Sequence, residues 1–176
     1  LLRLGCTFLP VKLVLHIAPR FLAIALLVAV AFGCSRKSDS WTSRTYHKMT
    51  SKYNPYFNGE QAYLKGVASI QTNQKENFDE ILPLYIWGTP EQATSVATDM
   101  DRAIEKAAKV IKDHSMVIGG KQKNAYVIKS YMLMGKARFY KQDFFTSLET
   151  FNYVIQNFSK DKKAANEITE ARLWAG

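Results

Sequence analysis

Apolar positions fall into one dense run and several spaced series. Phe21 to Gly33 is thirteen uncharged residues, FLAIALLVAVAFG. Beyond it the apolar residues recur three and four apart, the spacing of one helix face. Tyr46, Met49 and Tyr53 share a face of a short helix that Asn54-Pro55 ends, and aromatics so spaced are expected in a core. Tyr63, Leu64, Val67 and Ile70 mark a helix over 60–73, and Met100, Ala103, Ile104, Ala107 and Ile111 mark another over 94–113, capped by Thr89 or Thr94. Between them Pro83, Gly88 and Pro90 predict a loop around ILPLYIW. Gly119-Gly120 is expected to stop the second helix, with Lys121 opening the next. Asp143 marks a further boundary, after which Phe144, Leu148, Phe151, Val154 and Ile155 lie on one side of 144–158. No alternation of period two is long enough to predict a sheet, so the mature chain is expected to be all-α.

The 13-residue run differs in kind. It follows Lys12, His16 and Arg20, and no acid precedes Asp39. A basic flank before a short apolar run has the organisation of a secretory signal. At 1.5 Å per residue it spans roughly 20 Å, short of the ~30 Å hydrocarbon layer, so a permanent transmembrane helix is the weaker reading. Ala31-Phe32-Gly33-Cys34 resembles a bacterial lipobox, with Ala31 for the usual Leu and a bulky Phe32. Cleavage between Gly33 and Cys34 then leaves a cysteine whose thiol takes a diacylglycerol. The bland alternative is a free or buried cysteine, but an exported lone thiol is a liability, and Cys6 leaves with the leader. Residues 1–33 are therefore the expected signal peptide, with 1–10 a miscalled start if translation begins at Val11. Residues 34–45 are a polar lipidated tether.

Charge and composition narrow the function. Of 24 basic residues 21 follow Cys34, as do all 15 acids, a net +6 for the mature part. That excess suits an anionic membrane surface or an acidic partner. No nucleic-acid motif accompanies it, and none is expected to bind. His47 and His114 are far apart in sequence, and HExxH, CxxC, GxSxG and GxxxxGK[ST] are all absent. Asp99 and Asp101 are explained as helix-start acids. Neither an enzyme, a metal nor a cofactor is expected.

Residues 128–161 match the 34-residue tetratricopeptide (TPR) pattern. Tyr131, Met134, Gly135, Phe144, Ser147, Phe151 and Val154 occupy its packing positions, and Gly135 lets the two helices approach closely. Arg138 and Ser159 depart from the usual Tyr and Pro. Residues 46–127 hold the aromatic segment and a degenerate repeat. Residues 162–176 open a further repeat that stops at its glycine, the expectation being a fragment of a longer array. The expected fold is a TPR-like helical-hairpin solenoid. By position in the pattern, Lys129, Met132, Lys136, Phe139 and Tyr140 form the face offered to a partner. Two ammonium groups beside aromatics suit an acidic or carboxylate-ended segment. Solvation and packing on the next repeat explain the same face equally well.

One family shares these features in longer stretches. CSRKSDSWTSRTYHKMTSKYNPYFNGEQAYLKG, ILPLY, MDRAIEKAAKVIKDHSM, GKARFYKQDFFTSLETFNYVIQNF and EARLWAG resemble the SprE/PorW lipoproteins of Bacteroidetes over residues 34–176. The Y-H and Y-N-x-Y-F-N-G segments are the most specific. The resemblance implies a TPR scaffold on the periplasmic side of the outer membrane, supporting type IX secretion and gliding motility by contacts with secretion-system proteins. It brings no catalytic residues. Ser35 after the anchor and the lack of an acidic cluster at 35–39 agree with that location. A SusD-like glycan-binding lipoprotein and a BamD-like assembly lipoprotein are the alternatives, the latter from F-x-x-V-I-x-x-F ending at Phe158.

Overall fold

The computed structural model describes residues 39–73, 79 and 86–176. The leader, Gly33, Cys34 and the ILPLY segment lie outside them. Among the described residues no helix is long and apolar enough to cross a membrane.

Helix α1 (Trp41–Ser51) begins where Ser40 Oγ accepts the Ser43 amide at 3.2 Å. Five residues of the expected tether, 41–45, are thus helical. Asn54-Pro55 predicts a stop, and the chain does not stop. It widens into a π-helical segment, Lys52–Tyr56, and continues as α2 (Phe57–Thr72). Proline has no N–H and its ring crowds the carbonyl four residues back, so a turn one residue wider accommodates Pro55 without ending the rod. The inward face of α1 is a second correction. Ser43, His47 and Ser51 are buried, while Tyr46, Met49 and Tyr53 are 49%, 55% and 65% exposed.

Thr89 caps α3 (Pro90–His114): it forms a reciprocal capping box with Gln92, and Pro90 fills the first turn. Ala93, Val96, Met100, Ala103, Ala107 and Val110 face inward. Asp99 and Asp101 stand in the middle of this helix rather than at its start, pairing with Lys65 at 2.9 Å and Lys141 at 2.6 Å. The helix ends at His114, before the two glycines. Gly119 and Gly120, with φ of 58° and 71°, instead turn a small antiparallel ribbon, Val117–Ile118 against Lys121–Gln122. Two residues per strand are too few to leave an alternating signature. Lys121 therefore lies in a strand, and α4 (Ala125–Tyr140) starts later, capped by Asn124. A tight turn leads to α5 (Phe144–Phe158), and a single 3₁₀ turn, Lys162–Ala164, leads to α6 (Ala165–Ala175).

The described residues thus form an all-α fold of five helical rods with the ribbon between the second and third. Each rod packs chiefly on its sequence neighbours, and α4 also touches α2 and α6. Helix α4 supplies Ala137 and Tyr140 to a core with α2 and α3, and Ile128 and Met132 to one with α5 and α6. Leu133 and Met134 join a third with Ala107. A helix covered from several sides needs apolar residues all round, which explains why YVIKSYMLMGKARFY carries no clear polar face. Extensive pairwise packing makes the whole a compact helical bundle.

A candidate partner-binding groove

Helices α2, α4 and α6 line a shallow groove of about 390 Å³. The first rod contributes Tyr56, Glu60, Tyr63 and Leu64; α4 contributes Lys129, Met132, Leu133 and Lys136; α6 contributes Glu167 and Glu170. Of the five residues expected on the partner face, Lys129, Met132 and Lys136 are here. Phe139 and Tyr140 are not. Trp174 of α6 closes that end, its ring centroid 5.2 Å from Phe139 and 6.4 Å from Tyr140. Tyr140 is buried in the α2–α3–α4 core against Tyr63, and Phe139 packs edge-on to Phe144.

The charges differ from a simple basic face. Lys136 is ion-paired to Glu170, with its ammonium 5.9 Å from the centre of the Trp174 ring. Lys129 lies 5.4 Å from the centre of the Tyr126 ring. Tyr56 donates to Glu60 at 3.1 Å. Three carboxylates and two ammonium groups therefore share one groove. Glu60, Glu167 and Glu170 escape a sequence reading because the pattern defines the face from one helix alone. Glu60 and Glu167 sit in the first turns of α2 and α6, where acids are ordinarily explained by the helix dipole.

Burial first, and the Glu60 carboxylate second, push the Tyr56 hydroxyl well above the usual tyrosine range. Burial first and Tyr140 second do the same to Tyr63. A raised folded value means the neutral phenol is favoured by folding. The associated stability is complete below the ordinary value of ~10 and is lost as pH climbs through it toward the folded value. Alkaline titration followed by tyrosinate absorbance should accordingly show a delayed set of phenols that ionise together with unfolding; non-cooperative titration of every tyrosine near its ordinary value would contradict it.

Most of the residues expected at repeat-packing positions meet between α4 and α5. Gly135 faces Phe151, which is fully buried, and the Gly135 carbonyl accepts the Ser147 hydroxyl at 2.8 Å. Val154 is buried beside Phe151, Met134 packs near Ala107, and Tyr131 lies against Tyr153. Phe144 is 48% exposed on the first turn of α5, with its ring edge-on to Phe139 of α4. Arg138, at a departure from the TPR pattern, donates to Thr150 Oγ1 at 2.6 Å and to the Thr146 carbonyl at 3.3 Å, tying α4 to α5.

No protein-family model matches this chain, and no curated protein matches it. The two distant histidines do meet: Nδ1 of His47 and Nδ1 of His114 are 3.1 Å apart. At that distance one ring nitrogen donates and the other accepts, the tautomers deciding which, and Thr50 Oγ1 lies 3.4 Å from Nδ1 of His114. Asn124 completes the cluster, donating to the His114 carbonyl and to Ser51 Oγ, each at 3.1 Å. The cluster fastens α1 to the end of α3 and the start of α4. Among the described residues no group of three or more His, Cys, Asp or Glu is arranged to hold a metal ion.

Proposed function

We propose that this chain acts as a lipid-anchored TPR scaffold on the periplasmic side of the outer membrane, supporting type IX secretion and gliding motility by holding partner proteins rather than by catalysis. The observation that carries the binding role is the groove between α2, α4 and α6. These are alternate rods of the chain, so the first helices of the α2–α3 and α4–α5 hairpins border one groove with α6, the arrangement by which TPR arrays grip peptides. The close α4–α5 contact at Gly135 supports the TPR reading of 128–161, and the resemblance of residues 34–176 to SprE/PorW proteins supports the secretion role. Mixed charge in the groove favours a secretion-system segment carrying both signs over a purely acidic one. Cys34 is the proposed anchor.

A deletion strain complemented with groove and anchor variants tests this. Deletion should abolish release of type IX cargo while growth on glycans continues. Lys129→Glu combined with Glu167→Lys should fail to restore secretion although the protein remains in membranes. Cys34→Ala should take up no acyl label and keep its leader. Normal secretion by the deletion strain would sink the proposal, and loss of glycan growth alone would favour a SusD-like protein.

A further inference from the structure

Helix α1 carries its apolar side chains on the side away from the bundle. Trp41 is 77% exposed and Phe57 51%, with Tyr46, Met49 and Tyr53 between them also exposed. The π-helical segment keeps this outer stripe continuous from α1 into α2 instead of letting Pro55 break the rod. Contiguous exposed apolar area of this kind marks an interaction surface. Its charges are of one sign. Between Trp41 and Gly59 the sequence has Arg44, Lys48 and Lys52 and no acid. Lys48 and Lys52 are exposed, and Lys52 Nζ lies 4.5 Å from the centre of the Tyr53 ring. Tyr126 and Lys129 of α4 share a shallow hollow with Lys52, Tyr53 and Phe57, in which Glu60 is the one carboxylate. Asp39 pairs with Arg44 beside the first turn, and Glu60 is engaged by the Tyr56 hydroxyl, so both acids bordering the stripe already have partners.

We propose that this stripe lies on a phospholipid surface bearing anionic headgroups, seating α1 and the π segment flat against the leaflet. Trp and Tyr favour the headgroup zone, and Lys48 and Lys52 flank the aromatic stripe where their long side chains reach its phosphates, the combination found in interfacial amphipathic helices. The proposal rests on the reading of Cys34 as the anchor in one respect: six residues separate Cys34 from Trp41, so the stripe stays within ~25 Å of the acyl chains. A partner protein or a second copy would need complementary acids and no such tether. The leaflet is present by construction. The acyl chains hold the protein to the leaflet, and the basic-aromatic stripe orients α1 on it.

The test uses the full chain, purified from membranes and reconstituted into vesicles of phosphatidylethanolamine with phosphatidylglycerol. An environment-sensitive dye is placed at Met49→Cys, or as a control at Asn157→Cys on α5. Intact mass first reports whether the chain carries acyl groups; if it does not, the chain with Cys6→Ser and Cys34→Ser, in which only position 49 or 157 takes the dye, is added to the vesicles from solution, so the two readings fail separately. The dye at position 49 should shift to the blue and be quenched by brominated lipid chains, the dye at 157 should not, and Lys48→Glu with Lys52→Glu should reverse the effect at 49. Each lysine near an anionic leaflet is worth roughly fivefold in local occupancy, so the double charge reversal should lower docking by well over tenfold. An unshifted, unquenched dye at 49 overturns the proposal. So does a blue shift that develops without lipid alongside dimer mass in light scattering, which would make the stripe a contact between copies.

Discussion

Gly135→Val unfolds the α4–α5 hairpin more readily than any surface change, at an expected cost of ~3 kcal/mol or more. Helix propensity alone points the other way, since a glycine in a helix interior is worse than alanine by about 1 kcal/mol. Space decides the sign. A Cβ on Gly135 would stand 2.7 Å from Phe151 Cε1 and 2.8 Å from Cζ. The ring has little freedom to move: it is fully buried and stacked on Trp174 at 5.9 Å. The Ser147 bond to the Gly135 carbonyl resists widening of the helix pair. Gly135→Ala should therefore also destabilise, by ~1–2 kcal/mol after the propensity gain is counted. Trimming the ring with Phe151→Leu costs stability by itself but should make Gly135→Ala less costly in that background. Denaturant midpoints for the two single variants and the double variant would show a coupling of ~0.5–3 kcal/mol. Strict additivity, or stabilisation by Gly135→Ala in the parent chain, would mean the helices slide apart at little cost.

That contact is legible in the amino-acid sequence because several cues agree. Met134-Gly135, Ser147 and Phe151 hold a spacing set by two helices touching through a small residue, and Asp143 marks the break between them. Periodicity misleads where it identifies a face without telling which way it points. Tyr46, Met49 and Tyr53 are as regular as a core stripe. Yet the opposite face of α1, Ser43, His47 and Ser51, is the one buried, because Asn124 and His114 offer it hydrogen bonds that no sequence pattern advertises. The groove is half legible for a related reason. Lys129, Met132 and Lys136 follow from α4 alone, whereas Glu60 arrives from about 70 residues upstream and Glu167 and Glu170 from about 35 residues downstream. The loss of Tyr140 from the face depends on Trp174, whose position is fixed only by the packing of α6 on Phe151 and Phe139.

The polar fastening of α1 leads to the other large effect. Asn124→Ala should cost ~2–4 kcal/mol, the sum of a lost cap and of buried acceptors left unmet. Asn124 is 1% exposed, and each end of its amide is used. Its Oδ1 accepts the Tyr126 amide at 3.1 Å, opening α4. Its Nδ2 faces the His114 carbonyl and Ser51 Oγ at 3.1 Å and the His47 carbonyl at 3.4 Å. Those acceptors belong to the end of α3 and to α1, so one side chain joins three helices. Asn124→Ser separates the two roles: serine caps nearly as well but cannot reach the distant carbonyls. It should recover about 1 kcal/mol of the loss and no more. The damage should also be local. The buried residues of α1 are all polar, so it has little apolar burial to hold it once the amide is gone. Amide exchange should speed up across 41–51 in both variants, while α5 and α6 keep their protection near the global limit. Unchanged exchange in α1 with Asn124→Ala, or equal stability of the Ser variant and the parent chain, would show that the rod is held by the contacts of α2 instead.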